Sequence, residues 1–204
     1  MDLVFYQILQ LYYTRGNKML THKGTQPIET KRLLLRRFKP SDAECMFKNW
    51  ANDSEIFKFF TRSPHSDLSQ TEQIVNEWVN GYSEDNCYNW AIESKGTGEI
   101  IGQISLVDLS EKYSSCEVAC TVGRAFWNKG ISTEATKAVI SYLFKEIGIN
   151  RIEGRHNTLN LASGGAMLKS GMKFEGIMRQ ADISKNGEFC DLALYSILKS
   201  DLVE

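Results

Sequence analysis

Between Ser114 and Ile147 the hydrophobic period changes once, and that change constrains the fold more than any other feature of the chain. From Ser114 to Gly123 the residues alternate. Cys116, Val118, Cys120 and Val122 share one face and Glu117, Ala119 and Thr121 the other, as a strand with one buried face requires. From Thr133 to Ile147 the apolar positions Ala135, Ala138, Val139, Tyr142, Leu143 and Phe144 recur at helical spacing, and Gly148 ends the run. The junction, Trp127 to Ala135, reads W-N-K-G-I-S-T-E-A. A glycine and small residues turn strand into helix there and leave backbone N–H groups without partners. Such groups carry partial positive charge and receive phosphate oxygens. The junction suggests a phosphate seat on Asn128 to Thr133, but taken alone it reads more readily as an ordinary strand–turn–helix with a glycine in the turn.

The bulk numbers bound the rest. With 204 residues, 42 % hydrophobic and 24 % charged, the chain has the size and balance of one globular domain with a short extension. A net charge of −1 supplies no field that would draw it to nucleic acid or an anionic membrane, so neither is expected as a partner. The five cysteines, Cys45, Cys87, Cys116, Cys120 and Cys190, are odd in number and have no Cys-x-x-Cys spacing, which predicts reduced thiols in a cytoplasmic protein. The three histidines are too far apart in sequence to propose a metal site. Residues 1–27 read as an N-terminal extension. Val4 to Tyr13 within it fits a short amphipathic helix better than a secretory signal, and Met19 is an alternative natural start.

Taken in order, Leu33 to Phe38 predicts a strand and Ala43 to Asn52 a helix begun by Pro40-Ser41-Asp42, with Ser41 or Asp42 as cap. Glu55 to Phe60 is a short apolar segment whose aromatics suit either core or pocket wall. Ser69 to Tyr82 predicts a helix with Ser69 as cap. Asn89 to Glu93 and Ile100 to Val107 predict strands joined by a Gly-containing hairpin turn. After the central junction come a strand at Arg151 to His156, a helix at Leu161 to Ser170 closed by Gly171, and two strands at Phe174 to Arg179 and Phe189 to Ile197. Hairpins first, then strand–helix–strand units, give an α/β (α+β) domain over residues 28–200. Its central sheet is mixed and mostly antiparallel, with helices on both faces.

Four stretches taken together resemble one family: T-K-R-L-L-L-R-R-F-K-P-S-D-A at Thr30 to Ala43, E-I-I-G-Q-I-S-L at Glu99 to Leu106, W-N-K-G-I-S-T-E-A, and the segment Asn160 to Gly176 with its Asn, Ser and L-K-S-G-M-K-F-E-G. In this order they resemble the GNAT superfamily of N-acetyltransferases, most closely its Rim-type branch, which acetylates ribosomal-protein N-termini. The resemblance spans about Ile28 to Leu198. It implies acetyl-CoA as cosubstrate, no metal, a splayed strand pair in the sheet, and transfer to a primary amine, a peptide N-terminus or a small amine. A monomer or homodimer is expected.

Carried over residue by residue, the resemblance sets Ala119, Cys120, Thr121 and Val122 against the pantetheine arm. Asn128, Lys129, Gly130, Ile131, Ser132 and Thr133 hold the pyrophosphate, and Asn160 and Ser163 contact the cofactor. Lys129 also reads as a plain surface lysine and Asn160 as a helix cap. Glu117 is the expected base and Ser163 the group beside the departing thiolate. Glu117 equally reads as a strand glutamate paired with Arg155 or Lys112. Asn128 stands where the family often has glycine, and Met167 where many members have a proton-donating tyrosine. Gly164-Gly165 predicts a helix that starts late or packs loosely. These departures keep a third reading open, an acyl-CoA-binding module without turnover.

Overall fold

The computed structural model describes residues 20–202. The segment expected as a helix at Val4 to Tyr13 lies outside them. A short strand β1 (Ile28–Glu29) precedes β2 (Leu33–Arg36), and the two pair antiparallel. Pro40–Asp42 forms a tight turn into α1 (Ala43–Met46), which continues as a wider turn, Phe47–Ala51. The Asp42 carboxylate accepts from the Lys39 backbone N–H at 2.8 Å and from the Arg36 guanidinium at 2.7 and 3.0 Å, which fixes the entry to the helix. A single turn at Ile56–Phe59 leads to α2 (Leu68–Gly81). Its cap is Asp67, whose side chain accepts from the Gln70 N–H, and not Ser69, whose hydroxyl donates to Asp67. The carboxylate is the stronger acceptor of the two.

Strands β3 (Asn89–Ser94), β4 (Ile100–Ser110) and β5 (Ser115–Val122) form an antiparallel meander. Then come α3 (Ile131–Tyr142), extended by a wider turn through Ile147, β6 (Arg151–Asn157), α4 (Leu161–Lys169), β7 (Lys173–Ile183) and β8 (Phe189–Leu198). The eight strands among the described residues join one sheet in the order β1-β2-β3-β4-β5-β6-β8-β7. Only β5 and β6 run parallel, because α3 must cross over between them.

Two apolar layers hold the sheet. On one face Leu33, Leu35, Ile92, Ile104, Cys116 and Val118 pack against Ala135, Val139, Leu143 and Phe144 of α3 and its extension. On the other, Ala91 and Ile100 pack under Met46, Trp50, Phe57 and Val75. The chain before β1 is tied in as well. Leu20 is buried, the Thr21 N–H reaches the Ile147 carbonyl at 2.9 Å, and the Trp90 indole donates to the Gln26 carbonyl at 2.7 Å.

The expected split in the sheet is visible in the register. β5 and β6 pair only at Ser115–Arg151, Cys116–Ile152 and Glu117–Glu153. Past Glu117 the strands part, while β5 stays paired to β4 as far as Val122 and β6 stays paired to β8 as far as Asn157.

Candidate active site

A cleft of about 800 Å³ opens where the strands part. Val118, Cys120 and Val122 line it from one face of β5 and Thr121 from the other. Residues of both parities can line one cavity where it runs along the unpaired edge of a strand. The β6-facing N–H and C=O groups of β5 beyond Glu117 have no strand to bond; the Val122 carbonyl accepts from the Trp127 indole at 2.7 Å, and the others are open to a chain threaded between β5 and β6.

One end of the cleft is the start of α3, lined by Asn128, Gly130, Ile131, Ser132 and Thr133. Asn128 and Gly130 both have left-handed backbones, φ 59° and 72°, so Asn128 takes up the conformation that glycine would hold. No backbone bond is made by the N–H groups of Asn128 to Thr133 among the described residues. The first taken is that of Glu134, by the Gly130 carbonyl at 3.0 Å. These N–H groups stand at a positive helix end and fit a pyrophosphate. Arg32 braces the turn, with one guanidinium nitrogen on the Lys129 carbonyl at 2.8 Å and another on Glu134 at 2.6 Å. The Lys129 ammonium turns away from the cleft to the Ala125 carbonyl, 2.9 Å, over the Phe126 ring. Its backbone remains in the turn.

The opposite wall is α4, with Asn160, Ser163, Gly165, Ala166 and Met167. Asn160 is a cap, its Oδ1 accepting from the Ser163 N–H at 3.4 Å, which leaves its amide nitrogen for the cleft. The helix is regular from Leu161, so the expected late or loose start does not occur. Gly164 packs where a Cβ would stand 2.8 Å from His156 Nε2 and 2.9 Å from Tyr195 Oη, so the glycine permits close docking of α4 on the sheet. Met167 lines the cleft and has no proton to donate.

Glu117 and Ala119 lie on the other face of β5, at the edge of the opening rather than in the cleft lining. The Glu117 side chain is 18 % exposed, and its Oε2 lies 3.4 Å from Arg155 Nε. Burial pushes its carboxyl above the usual carboxylate range. Arg155 opposes that shift, and Glu153 and Asp108 add to it. Burial also raises the Cys120 thiol to about 12, which disfavours its thiolate.

Several lining residues carried no sequence signal of their own. Glu55, Ile56, Phe59 and Phe60 come from the turn before α2, and Leu159 and Leu161 flank the start of α4. Thr136 was findable, since it lies three residues beyond Thr133 on the same helical face. The aromatic residues divide: Phe57, Trp78 and Trp90 belong to the core, Phe59 and Phe60 to the cleft, and Phe189 is exposed on the last hairpin. No helix among the described residues is long and apolar enough to cross a membrane, and no group of three or more potential metal ligands occurs among them.

A sheet split by one short parallel pairing, with a helix N-terminus at the mouth of the gap, defines an acyl-transferring fold of the GNAT kind. The comparisons agree, and the chain belongs to that family: the model for the acetyltransferase (GNAT) domain matches residues 32–173. The chain is 32 % identical to the uncharacterized N-acetyltransferase YoaA of Bacillus subtilis over 84 % of its length and 96 % of that protein's. It is 28 % identical to YdaF of the same organism, which is provisionally named a ribosomal N-acetyltransferase, over 83 % of this chain and 92 % of that one. A GNAT-family acetyltransferase crystal structure from Bacillus anthracis superposes with a TM-score of 0.76 at 26 % identity, covering 86 % of this chain and 99 % of that chain. The protein is an N-acetyltransferase.

Proposed function

We propose that the protein transfers the acetyl group of acetyl-CoA to a protein N-terminal α-amine through the gap between β5 and β6. The observation that carries this reading is the end of the parallel pairing at Glu117–Glu153, with a cleft just beyond it that β5 and the start of α3 line together. The donor brings the reactive thioester. The N–H groups of Asn128 to Thr133 hold its pyrophosphate, the open edge of β5 from Ala119 to Val122 aligns the pantetheine, and the Asn160 amide nitrogen bonds the arm. An N–H on that edge donates to the thioester oxygen as negative charge develops on it.

Glu117 takes the proton that the attacking ammonium must lose, directly or through one water. The C–N bond forms, the C–S bond breaks with its electron pair on sulfur, where the Ser163 hydroxyl hydrogen-bonds it, and the second proton lost by the nitrogen passes through water to the thiolate. Phe59, Phe60, Leu159 and Leu161 give the mouth apolar walls for the first side chain of a peptide. YdaF, whose provisional name gives a ribosomal substrate, supports the peptide acceptor.

Differential scanning fluorimetry with acetyl-CoA, followed by thiol release over N-terminal peptides and small amines, tests the reading. A ligand at a hundred times its dissociation constant stabilises by ~2.7 kcal/mol, a shift of several degrees. No shift sinks the cofactor assignment. Turnover on small amines alone sinks the peptide acceptor, and binding without turnover on any amine leaves an acyl-CoA-binding module. Glu117→Gln lowers kcat by roughly 10²–10⁴-fold with unchanged acetyl-CoA affinity.

A further inference from the structure

The sheet face that carries Glu117 holds a line of alternating charge. Arg151, Glu153 and Arg155 follow at intervals of two on β6, so all three project to that face. Arg151 reaches Glu175 of β7 through two nitrogens at 2.7 Å each and Glu153 through Nε at 2.8 Å. Glu153 in turn receives Arg155 Nη2 at 3.1 Å. Arg155 Nε lies 3.4 Å from Glu117 Oε2. The order is Glu175, Arg151, Glu153, Arg155, Glu117, running from the last hairpin across β6 to the final residue of β5 before the strands part.

Each link but the last is a formed hydrogen bond. Arg155 Nε is buried and makes no aligned bond, although Glu117 Oε2 is within reach. A buried N–H without an acceptor costs free energy, so this geometry favours a small rotation of Glu117 onto Arg155. The guanidinium is thus shared between two carboxylates. Glu153 anchors one side of the fork and Glu117 borders the open gap with the other.

We propose that Arg155 is a positioning residue that aims the Glu117 carboxylate at the gap and keeps it ionised, with Glu153 competing for the same guanidinium. The inference rests on Glu117 being the base. Its role follows from local charge. Glu117 is flanked by Asp108 on β4, opposite it in register, and by Glu153 on β6, and both disfavour its ionisation. Arg155 is the cation that offsets them and the burial. The Lys112 ammonium, in the β4–β5 turn, sits over the Tyr113 ring at 5.0 Å.

The two neighbours therefore have opposite signs. Arg155→Met removes the attraction, so Glu117 gives up its proton only at higher pH. Glu153→Gln removes a repelling charge and frees Arg155 for Glu117, so ionisation extends to lower pH. The pH dependence of kcat/KM with saturating acetyl-CoA reads both. The acidic limb moves up by about one pH unit in Arg155→Met, a tenfold loss of rate at a fixed pH below the limb, moves down in Glu153→Gln, and returns toward the parent position in Arg155→Lys. Acetyl-CoA affinity, measured in parallel, reports folding, and Arg155→Gln replaces Arg155→Met if the latter does not fold. A limb unmoved in Glu153→Gln and in the variant that removes the Arg155 charge, or moved in the same direction by both, overturns the role of Arg155 and Glu153. A parent-like rate and limb in Glu117→Gln overturns the base assignment instead.

Discussion

Asn128 holds a left-handed backbone in the turn that leads into α3. Its φ of 59° lies in the left-handed region, where asparagine is the best tolerated residue after glycine. The turn it makes aims the free N–H groups at the start of α3 into the cleft. Asn128→Val places a β-branched side chain in that conformation at a cost of roughly 1–3 kcal/mol. The expected result is at least a tenfold loss of CoA affinity by calorimetry, with a smaller change for Asn128→Gly. Equal affinities in all three proteins would show that the loop geometry is not what holds the phosphates. At this scale the sequence was legible for residues that act through backbone shape, such as Asn128 and Gly130, because the preference is intrinsic to the residue. It was not legible for Lys129, whose ammonium goes to the Ala125 carbonyl, since a long side chain chooses among partners that only the fold brings near.

At the scale of elements, helix α4 is set by one contact. Gly164 lies on His156 and Tyr195, rings that stack with centroids 5.5 Å apart. Gly165, one residue on, has nothing within 4 Å of its Cβ position. The two glycines therefore respond oppositely to alanine. Gly164→Ala forces the rings or the helix to move, an overpacking cost of about 1–3 kcal/mol, and displaces Asn160 and Ser163 with the helix. Gly165→Ala gains up to about 1 kcal/mol of helix propensity in the protein without ligand. Urea midpoints of the two variants should straddle the parent value. If both fall on one side, α4 is not docked as described.

The glycine pair was visible in the sequence as a departure from helix propensity, but its cause is a contact with β6 and β8, and no local pattern encodes that. The longer elements were legible because the alternation in β5 and the helical spacing in α3 are local, whereas the two-residue β1 and the turn at Ile56–Phe59 are too short to carry a period. The expected cap Ser69 gave way to Asp67 because two good acceptors lie two residues apart, and the geometry of the first turn chose between them.

Over the whole molecule, the R-x-E-x-R alternation of β6 was on the page, but its partners were not. The parallel register that sets Glu153 beside Glu117 and the antiparallel one that brings Ser196 and then β7 into line depend on where α3 and α4 return the chain. The resulting charges divide by sign of shift, and so do their effects on stability. The Arg151 guanidinium, with help from Ser196, holds the Glu175 carboxyl at about 2. Burial pushes Glu153 up, but the bonds from Arg151 and Arg155 outweigh it and hold it below the usual range. A carboxyl depressed by folding contributes stability that is present above its unfolded value, near ~4.3, and is lost as pH falls through the folded value. Glu117 works the other way. Its folded form holds the proton more tightly than the unfolded chain, so its charge opposes folding at neutral pH and ceases to do so as pH falls through its raised value.

Glu175→Gln should therefore lower the urea midpoint at pH 7, modestly since the side chain is 36 % exposed, and the gap to the parent should close as pH falls from about 4 to about 2. Glu117→Gln should leave the neutral midpoint unchanged or raised while turnover falls. A residue kept at a cost to stability and needed for rate is how a base differs from a structural ion pair. A neutral midpoint that drops in Glu117→Gln as it does in Glu175→Gln would place Glu117 with the structural charges.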